Sequence, residues 1–221
     1  MNYYKVVYEG GEAEIVEKKS RFIASVQPIQ SEEEALAFIH ALKKKYWDAS
    51  HNCSAFTVGK NHELTRCSDD GEPSQTAGRP MLDVLLRENI HNAAVVVTRY
   101  FGGTLLGTGG LVRAYQKSTQ AGLAAAVVIE KQQGYLLDIG TDYTGLGKIQ
   151  YLLAQRDISV LDTEYTEQVL IHTVVPLDKK AELEQAVTEG TSGAAKLIWG
   201  NLTEFAEIAD KVHIFDHAQK S

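Results

Sequence analysis

Alternating hydrophobic and polar residues predict several strands in the first 130 residues. Every second residue of the segment 21–26 is apolar, which places Phe22, Ala24 and Val26 on one face of a strand. The segment 93–98 is continuously apolar, as is typical of a strand that is buried on both faces. Further strands are expected at 3–8 and 13–16, and a hairpin is expected to join 53–58 to 63–68 through Gly59, Lys60 and Asn61.

Apolar residues at helical spacing predict three helices in the same region. Ser31 and Glu34 form a capping box in front of a helix over 32–45. The expected apolar stripe of this helix is Leu36, Ile39 and Leu42, and its C-terminus is complemented by Lys43, Lys44 and Lys45. The other two helices are expected after Pro80, with Leu82, Leu85 and Leu86 as apolar positions, and over 110–128.

From Gly134 onward the pattern changes to strand, helix, strand, strand, helix and strand. The predicted strands are 135–139, 158–165, 168–175 and 197–202, and the predicted helices are 146–155 and 179–189. This is the split βαβ order. Residues 1–130 contain 14 lysines and arginines and 15 acidic residues, a net charge of −1. Residues 131–221 contain 8 and 14, a net charge of −6. We therefore expect an α+β protein with two domains, 1–130 and 134–221.

Composition excludes several classes of protein. The chain has 221 residues, of which 44% are hydrophobic and 23% charged, within the range of globular proteins. No segment approaches the ~18 uninterrupted apolar residues of a membrane span, and 1–10 has no apolar signal core, so a cytoplasmic location is expected. The two cysteines fit a reducing compartment. A net charge of −7 has the wrong sign for a protein that coats nucleic acid through bulk electrostatics.

A glycine-rich segment lies between the predicted buried strand and the last helix of the first domain. Its sequence over 102–110 is GGTLLGTGG, and its five glycines are Gly102, Gly103, Gly107, Gly109 and Gly110. Thr108 stands where a Walker A motif needs lysine, so nucleotide hydrolysis is not predicted. Backbone N–H groups at the helix N-terminus, with Arg99 and Arg113 beside them, predict an anion site. The alternative is a tight packing turn, because glycine permits close backbone approach without any ligand.

Three carboxylates precede this region at a turn, namely Asp69, Asp70 and Glu72. Carboxylate oxygens bind hard cations such as magnesium, and a carboxylate can also act as a base. The segment matches no calcium-loop spacing. The alternative is that these acids cap the following helix or pair with arginines.

Histidine and cysteine residues raise a further possibility. His51 and Cys53 are two apart on a predicted strand and therefore share a face, as a thiol–imidazole pair would. Together with His62 and Cys67 they have the composition of a zinc site but not its paired spacing. A buried cysteine that behaves as a small hydrophobe is the alternative. Near the glycines, Tyr100 and Phe101 are candidates for stacking on bases.

Several segments together resemble the signature of the IMPACT family in its bacterial YigZ-like branch, and the resemblance spans the whole chain. They are 49–53 (ASHNC), 68–74 (SDDGEPS), 76–78 (TAG), 99–103 (RYFGG), Leu106-Gly107, Gly109-Gly110 and 113–115 (RAY). The resemblance implies an N-terminal domain with the fold of the second domain of ribosomal protein S-five. It also implies a ferredoxin-like C-terminal domain similar to domain V of elongation factor G. Gln75 departs from the glycine that bacterial relatives usually carry there.

The resemblance also implies a role in translation. Eukaryotic relatives block activation of the kinase that senses uncharged tRNA, a pathway that bacteria lack. We therefore expect a non-enzymatic regulatory factor, without cofactor or metal, that binds RNA or the ribosome through the glycine-rich loop. The basic residues expected to help are Arg99, Arg113, Lys18, Lys19, Arg21, Arg66 and Arg79. Two alternatives stay open: a hydrolase using Cys53 and His51 or a metal at Asp69, Asp70 and Glu72, and an inhibitor that docks a protein on its acidic C-terminal domain.

Overall fold

The computed structural model describes residues 3–215, and its contacts divide the chain into two compact units, Tyr4–Glu130 and the part from Lys131 onward. We call them the N-terminal unit and the C-terminal unit. The elements of the first 126 residues are β1 (Tyr3–Glu9), β2 (Gly11–Glu17), β3 (Ser20–Pro28), α1 (Glu32–Lys45), β4 (His51–Val58), β5 (Leu64–Ser68), α2 (Gly78–Arg87), β6 (Ile90–His91), β7 (Ala93–Tyr100) and α3 (Thr108–Ala125). The remaining elements are β8 (Val127–Thr141), α4 (Leu146–Ala154), β9 (Val160–Tyr165), β10 (Val169–Pro176), α5 (Lys180–Gly190), β11 (Lys196–Ile208) and β12 (Lys211–Phe215).

A five-stranded antiparallel sheet in the order β2-β3-β7-β4-β5 forms the centre of the N-terminal unit. One face packs against α2 and α3, and Phe22, Ala24 and Val26 all lie in this core, as the alternation predicts. The opposite face packs against α1 through a smaller cluster around Ile29 and Phe56. Because β7 is central and covered on both faces, its residues 93–99 are all buried, which confirms the expectation from its apolar run.

Helix α1 has one of the two bonds of the predicted capping box, and the other bond comes from the residue before the N-cap. The Ser31 hydroxyl accepts a hydrogen bond from the Glu34 amide at 3.3 Å, while the Glu34 carboxylate accepts one from the Gln30 amide at 2.8 Å. The predicted apolar stripe is wrong at Leu36, whose side chain is half exposed. The stripe that faces the sheet is Ala35, Phe38, Ile39 and Leu42, which has the i, i+3, i+4, i+7 spacing of one helix face.

The predicted extent of α3 is also wrong at its end. The helix stops at Ala125, and Val127, Val128 and Ile129 already belong to β8. These β-branched side chains lose rotamer freedom in a helix and pack well in a strand, so the change of conformation falls where they begin. The hairpin of β4 and β5 is confirmed, with Val58 opposite Leu64.

The C-terminal unit contains an antiparallel sheet in which β8 lies between β10 and β11, and β9 pairs with the outer edge of β10. Helices α4 and α5 cover one face, with Leu137, Ile149 and Leu183 fully buried between sheet and helices. The strand order, with the first strand between the third and the fourth, is that of the predicted ferredoxin-like fold. Strand β12, which pairs with β11, lies beyond the predicted elements. No helix within residues 3–215 is both long and apolar enough to cross a membrane.

Candidate nucleic-acid interface

A buried ion pair joins β7 to the turn that follows β5. Arg99 Nη1 lies 2.6 Å from Glu72 Oε1, and the two side chains are 6% and 3% exposed. The Tyr115 hydroxyl from α3 donates to the same carboxylate oxygen at 2.8 Å, and Arg99 Nη2 donates to Ser20 Oγ at 3.3 Å. Removal of either charge would leave the other buried and uncompensated, so the pair fixes β7, α3 and the turn in one arrangement.

This pair changes the role expected of Arg99. The sequence predicts a cation that contacts phosphate, whereas the guanidinium lies inside the unit, 5.4 Å from the ring centre of Phe22 and 5.5 Å from that of Phe101. Glu72 compensates its charge, and Arg99 Nε is buried without a hydrogen-bond partner among residues 3–215. Sequence distance hid this contact, because Glu72 and Ser20 lie 27 and 79 residues away from Arg99.

The three carboxylates of the turn have three different sets of partners. Asp69 accepts hydrogen bonds from the amides of Gln75, Ala77 and Gly78 at 2.8, 3.0 and 2.8 Å, and so caps α2, whose N-terminus has no side-chain cap of its own. Asp70 accepts from Lys43 Nζ at 2.5 Å and from the Asn52 amide at 2.6 Å.

These contacts also set the ionisation of Asp70. Burial disfavours its charged form, but the hydrogen bonds from Lys43 and Asn52 outweigh burial and lower its pKa. Because the carboxylates of Asp69, Asp70 and Glu72 turn to separate partners, the alternative of a shared metal site is not supported by their geometry. The alternative of capping or pairing with arginine describes Asp69 and Glu72, whereas Asp70 pairs with a lysine, Lys43.

The surroundings of Cys53 do not favour the thiol–imidazole pair of the hydrolase alternative. Cys53 is fully buried, and its Sγ lies 3.0 Å from the Asp69 carbonyl and 3.3 Å from the Tyr115 hydroxyl. Burial, assisted by the nearby carboxylates, raises the pKa of the Cys53 thiol, which therefore stays protonated and is a poor nucleophile. The contacts of His51 are with other groups: its Nδ1 lies 2.9 Å from the Asp70 carbonyl, and its Nε2 lies 3.9 Å from Glu72 Oε2.

The other two members of the suggested zinc composition lie apart from this cluster. His62 is in the turn between β4 and β5, at the far end of β4 from His51, and stacks on His91 with ring centres 3.8 Å apart. Cys67 is exposed near the end of β5. The four residues do not converge.

The positions of the loop that contain glycine require it for different structural reasons. A β-carbon on Gly102 would lie 2.1 Å from the Lys19 carbonyl carbon, so the loop contacts the turn at Lys18 and Lys19 too closely for a side chain. Gly103 and Gly107 have φ of 81° and 74° with open space beside them. Part of the motif is therefore packing, as the alternative held, while two glycines face open space.

Helix α3 begins at this open space. Its N-cap residue is Gly107, which has no side chain to accept a hydrogen bond from the first-turn amides. The first turn also contains no acidic residue. The amides of Thr108, Gly109 and Gly110 precede the first hydrogen bond of the helix, which runs from the Leu111 amide to the Gly107 carbonyl. An uncapped N-terminus of an 18-residue helix attracts anions.

The predicted basic residues separate into two groups. Arg21, Arg66 and Arg79 are exposed but each contacts a carboxylate, on Glu14 at 2.8 Å, Glu32 at 2.9 Å and Asp83 at 2.8 Å respectively. Lys18, Lys19 and Arg113 are exposed and form no ion pair within residues 3–215. The backbone of Lys19 contacts Gly102, and the Arg113 guanidinium approaches Gly109, so these two residues lie beside the loop, and Lys18 is the chain neighbour of Lys19.

The sequence contains a signal for this surface that the analysis of net charge missed. No aspartate or glutamate occurs between Glu88 and Glu130, a stretch that includes the loop and all of α3. Of the aromatic residues, Tyr100 donates to Asp48 Oδ1 at 2.8 Å, whereas the Phe101 ring is half exposed. A locally non-acidic, glycine-rich surface is therefore present on an acidic protein.

A cavity of about 420 Å³ opens beside the loop. Its polar lining consists of His51, Glu72, Arg99 and Thr108, and its apolar lining consists of Pro73, Phe101, Leu105, Leu106 and Leu111. Gly71 and Gly107 complete the lining. The buried ion pair, the N-terminus of α3 and the exposed Phe101 thus border one space.

The chain is similar to known proteins over most of its length. The Impact N-terminal domain family matches residues 18–123, and a domain of unknown function, DUF1949, matches residues 139–194. The chain is 42% identical over 203 residues to "IMPACT family member YvyE" of Bacillus subtilis, which covers 92% of this chain and 94% of that protein. The chain belongs to the IMPACT family. Family membership supports a role related to the regulation of translation in general.

Other IMPACT relatives extend the comparison. "IMPACT family member YigZ" of Escherichia coli is 34% identical over 183 residues, 82% of this chain and 90% of that protein. "Protein IMPACT" of Mus musculus is 36% identical over 98 residues, 42% of this chain and 30% of that protein. Among solved structures, the crystal structure of a hypothetical protein has a TM-score of 0.57 at 32% identity and covers 90% of this chain and 97% of that one. These matches place the chain in the YigZ-like branch.

Proposed function

We propose that this IMPACT family member acts in translation as a non-enzymatic factor that binds RNA, including ribosomal RNA. The binding region is the glycine-loop surface, which consists of Lys18, Lys19, Gly102–Gly110 and Arg113. The observation that carries the proposal is the uncapped N-terminus of α3 beside three exposed cations without ion pairs in the described chain. Amides and cations of this kind bind phosphate oxygens without reading the sequence.

The expected strength of the salt dependence follows from the number of cations. If Lys18, Lys19 and Arg113 each neutralise one phosphate of single-stranded RNA, log K falls with log salt at a slope of about −2. An increase from 50 to 200 mM salt would then weaken binding roughly 20-fold. Affinity that does not change with salt would contradict the proposal.

Co-sedimentation with ribosomes and anisotropy of a labelled RNA strand, each at low and high salt, test the proposal. The variant is Lys19→Glu with Arg113→Glu, which leaves the buried Arg99–Glu72 pair intact. The matched control is Lys44→Glu with Lys148→Glu, which makes the same change in net charge at exposed positions on α1 and α4. We expect the first variant to lose binding at low salt and the control to keep it. Equal binding by both would refute the assignment to this surface.

A second candidate function, docking of a basic protein segment, is favoured by an acidic surface on the C-terminal unit. His172 on β10 lies between two carboxylates, with Nδ1 2.7 Å from Asp138 and Nε2 3.4 Å from Glu164. Asp162 is opposite His172 in the sheet, and Ile198, opposite Asp138, is 47% exposed. A lysine-rich peptide should bind here at low salt and should be lost in Asp162→Lys with Glu164→Lys. Unchanged binding by that variant would rule out this surface.

A further inference from the structure

We propose that the cavity beside the glycine loop binds one unstacked guanine nucleotide. The base would enter the cavity, and its 5′-phosphate would lie at the N-terminus of α3. This inference rests on the proposed function where the nucleotide is part of an RNA, and it names what that surface recognises. A free guanosine phosphate offers the same chemistry, so the experiment below separates the two sources.

The walls of the cavity suit a flat apolar ring. Phe101 is 49% exposed and Leu105 is 81% exposed, although both are large hydrophobic residues that line an open space. Leu106 and Leu111 continue the apolar lining from the start of α3. A base that stacks on an aromatic ring removes such surface from water.

The polar lining presents two hydrogen-bond acceptors. Because a carbonyl oxygen can only accept, the contact of 2.9 Å between His51 Nδ1 and the Asp70 carbonyl requires a proton on Nδ1. The tautomer that carries its proton on Nδ1 presents the lone pair of Nε2. This atom is 3.9 Å from Glu72 Oε2, too far for a hydrogen bond between them, so both remain able to contact a ligand.

Guanine complements two neighbouring acceptors better than the other bases do. Its N1–H and N2–H₂ groups are donors on adjacent positions of one edge. Adenine and cytosine each pair one donor group with an acceptor, and uracil places its single N–H between two acceptors. Only guanine therefore supplies two donor nitrogens side by side without bringing an acceptor against Glu72.

A buried donor in the same cavity points independently to a ligand. Arg99 lines the cavity and is 5% exposed, and its Nε has no hydrogen-bond partner among residues 3–215. Buried donors are nearly always satisfied. Guanine O6 is an acceptor next to N1–H, on the same edge that faces Glu72 and His51, and it supplies a partner of the missing type.

The position of the phosphate follows from the other end of the cavity. Gly107 and Thr108 line it, and they are the N-cap and the first residue of α3. A single nucleotide can therefore place its base against Glu72 and His51 and its phosphate against the uncapped amides. Neither end alone would distinguish a nucleotide from any anion or any flat ring.

The first test is a titration of the full chain with 5′-GMP, 5′-IMP, 5′-UMP and guanosine. Binding is measured from the shifts of the Gly109 and Gly110 amide signals in NMR spectra. IMP lacks the 2-amino group and guanosine lacks the phosphate. We expect GMP to bind at least about 10-fold more tightly than IMP, guanosine or UMP, since each of these lacks a contact that GMP makes, either at the base edge or at the phosphate. Equal affinity for GMP, IMP and UMP would overturn the inference.

Two variants, each of which adds one negative charge to α3, distinguish a loss of ligand binding from a loss of stability. Thr108→Glu places a carboxylate in the first turn of α3, where it stabilises the helix but repels a phosphate. Gln120→Glu makes the same change at an exposed position of α3 that is away from the loop. We expect Thr108→Glu to lose GMP binding at least 10-fold without any loss of thermal stability, and Gln120→Glu to bind GMP normally. GMP affinity unchanged in Thr108→Glu would refute a phosphate site there.

The source of the nucleotide is decided with short RNA strands. A uridine strand that contains one central guanosine is compared with the all-uridine strand and with free GMP. Tighter binding of the guanosine strand than of the other two ligands supports an RNA base as the ligand. Tighter binding of GMP than of either strand supports a free nucleotide as the ligand and contradicts the proposed function in RNA binding. Binding of both strands with equal affinity overturns the guanine inference while the proposed function stands. No binding of any of the three overturns both.

Discussion

The ion pair between Arg99 and Glu72 makes the sharpest prediction about stability. Replacement of Arg99 by methionine keeps most of the side-chain volume. It leaves the carboxylate of Glu72, whose side chain is 3% exposed, without its cation. The Tyr115 hydroxyl remains as a neutral donor at 2.8 Å. Breaking a buried pair on one side costs about 3–5 kcal/mol, which for the ordinary urea dependence of a domain this size lowers the urea midpoint by about 2 M.

The protein contains its own probe for this unfolding transition. Cys53 is fully buried in the core of the N-terminal unit, and Cys67, the other cysteine, is exposed. In a Cys67→Ser background, brief labelling with a thiol reagent across a urea series therefore reports unfolding of the N-terminal unit alone. The matched control is Arg79→Met, which removes an arginine from an exposed pair with Asp83 and should cost less than about 1 kcal/mol.

A second substitution tests whether the loss of stability in Arg99→Met comes from the uncompensated charge of Glu72 or from lost packing contacts. Glu72→Gln removes the uncompensated charge, so the double variant with Arg99→Met should regain at least half of the lost stability. If Arg99→Met costs no more than Arg79→Met, the pair is not the buried constraint described here. If the double variant is no more stable than Arg99→Met, the cost arises from packing and the electrostatic reasoning is refuted.

Three further predictions concern other parts of the chain. Asp69→Ala removes the acceptor for three amides at the start of α2 and should cost about 1–2 kcal/mol by the same labelling assay, whereas an unchanged midpoint would contradict the capping role. Gln75 has φ of 63°, so Gln75→Gly should stabilise the N-terminal unit by up to about 1 kcal/mol, and destabilisation would show that the side chain has another role. The hydrogen bond to Asp138 raises the pKa of His172, so this pair stabilises the folded protein below about pH 6.5 and its contribution is lost as the pH rises through the folded pKa. An NMR titration should therefore give a lower His172 pKa in Asp138→Asn, and an equal value would exclude the pairing.

Local patterns of the sequence predicted most of the fold because burial imposes a period on each element. The alternation at Phe22, Ala24 and Val26 and the apolar run of β7 both correspond to observed faces. The error in the apolar stripe of α1 arose where tertiary packing chose between equivalent positions. Leu36 fits a helical stripe as well as Ala35 does, but only the placement of α1 on the sheet shows which of the two is covered.

The site shows a clearer division between sequence and structure. The sequence predicts that the glycine-rich loop opens a helix, and it singles out Arg99 and the three carboxylates of the turn, because turn chemistry and motif spacing are local. Their roles depend on partners that are distant in the chain, and charge compensation and burial are set by those partners. Only the tertiary structure placed Glu72 against Arg99 inside the unit and left the uncapped end of α3 open beside a cavity. The same arginine could have been a surface cation, and its burial beside a carboxylate, which no local pattern encodes, decided otherwise.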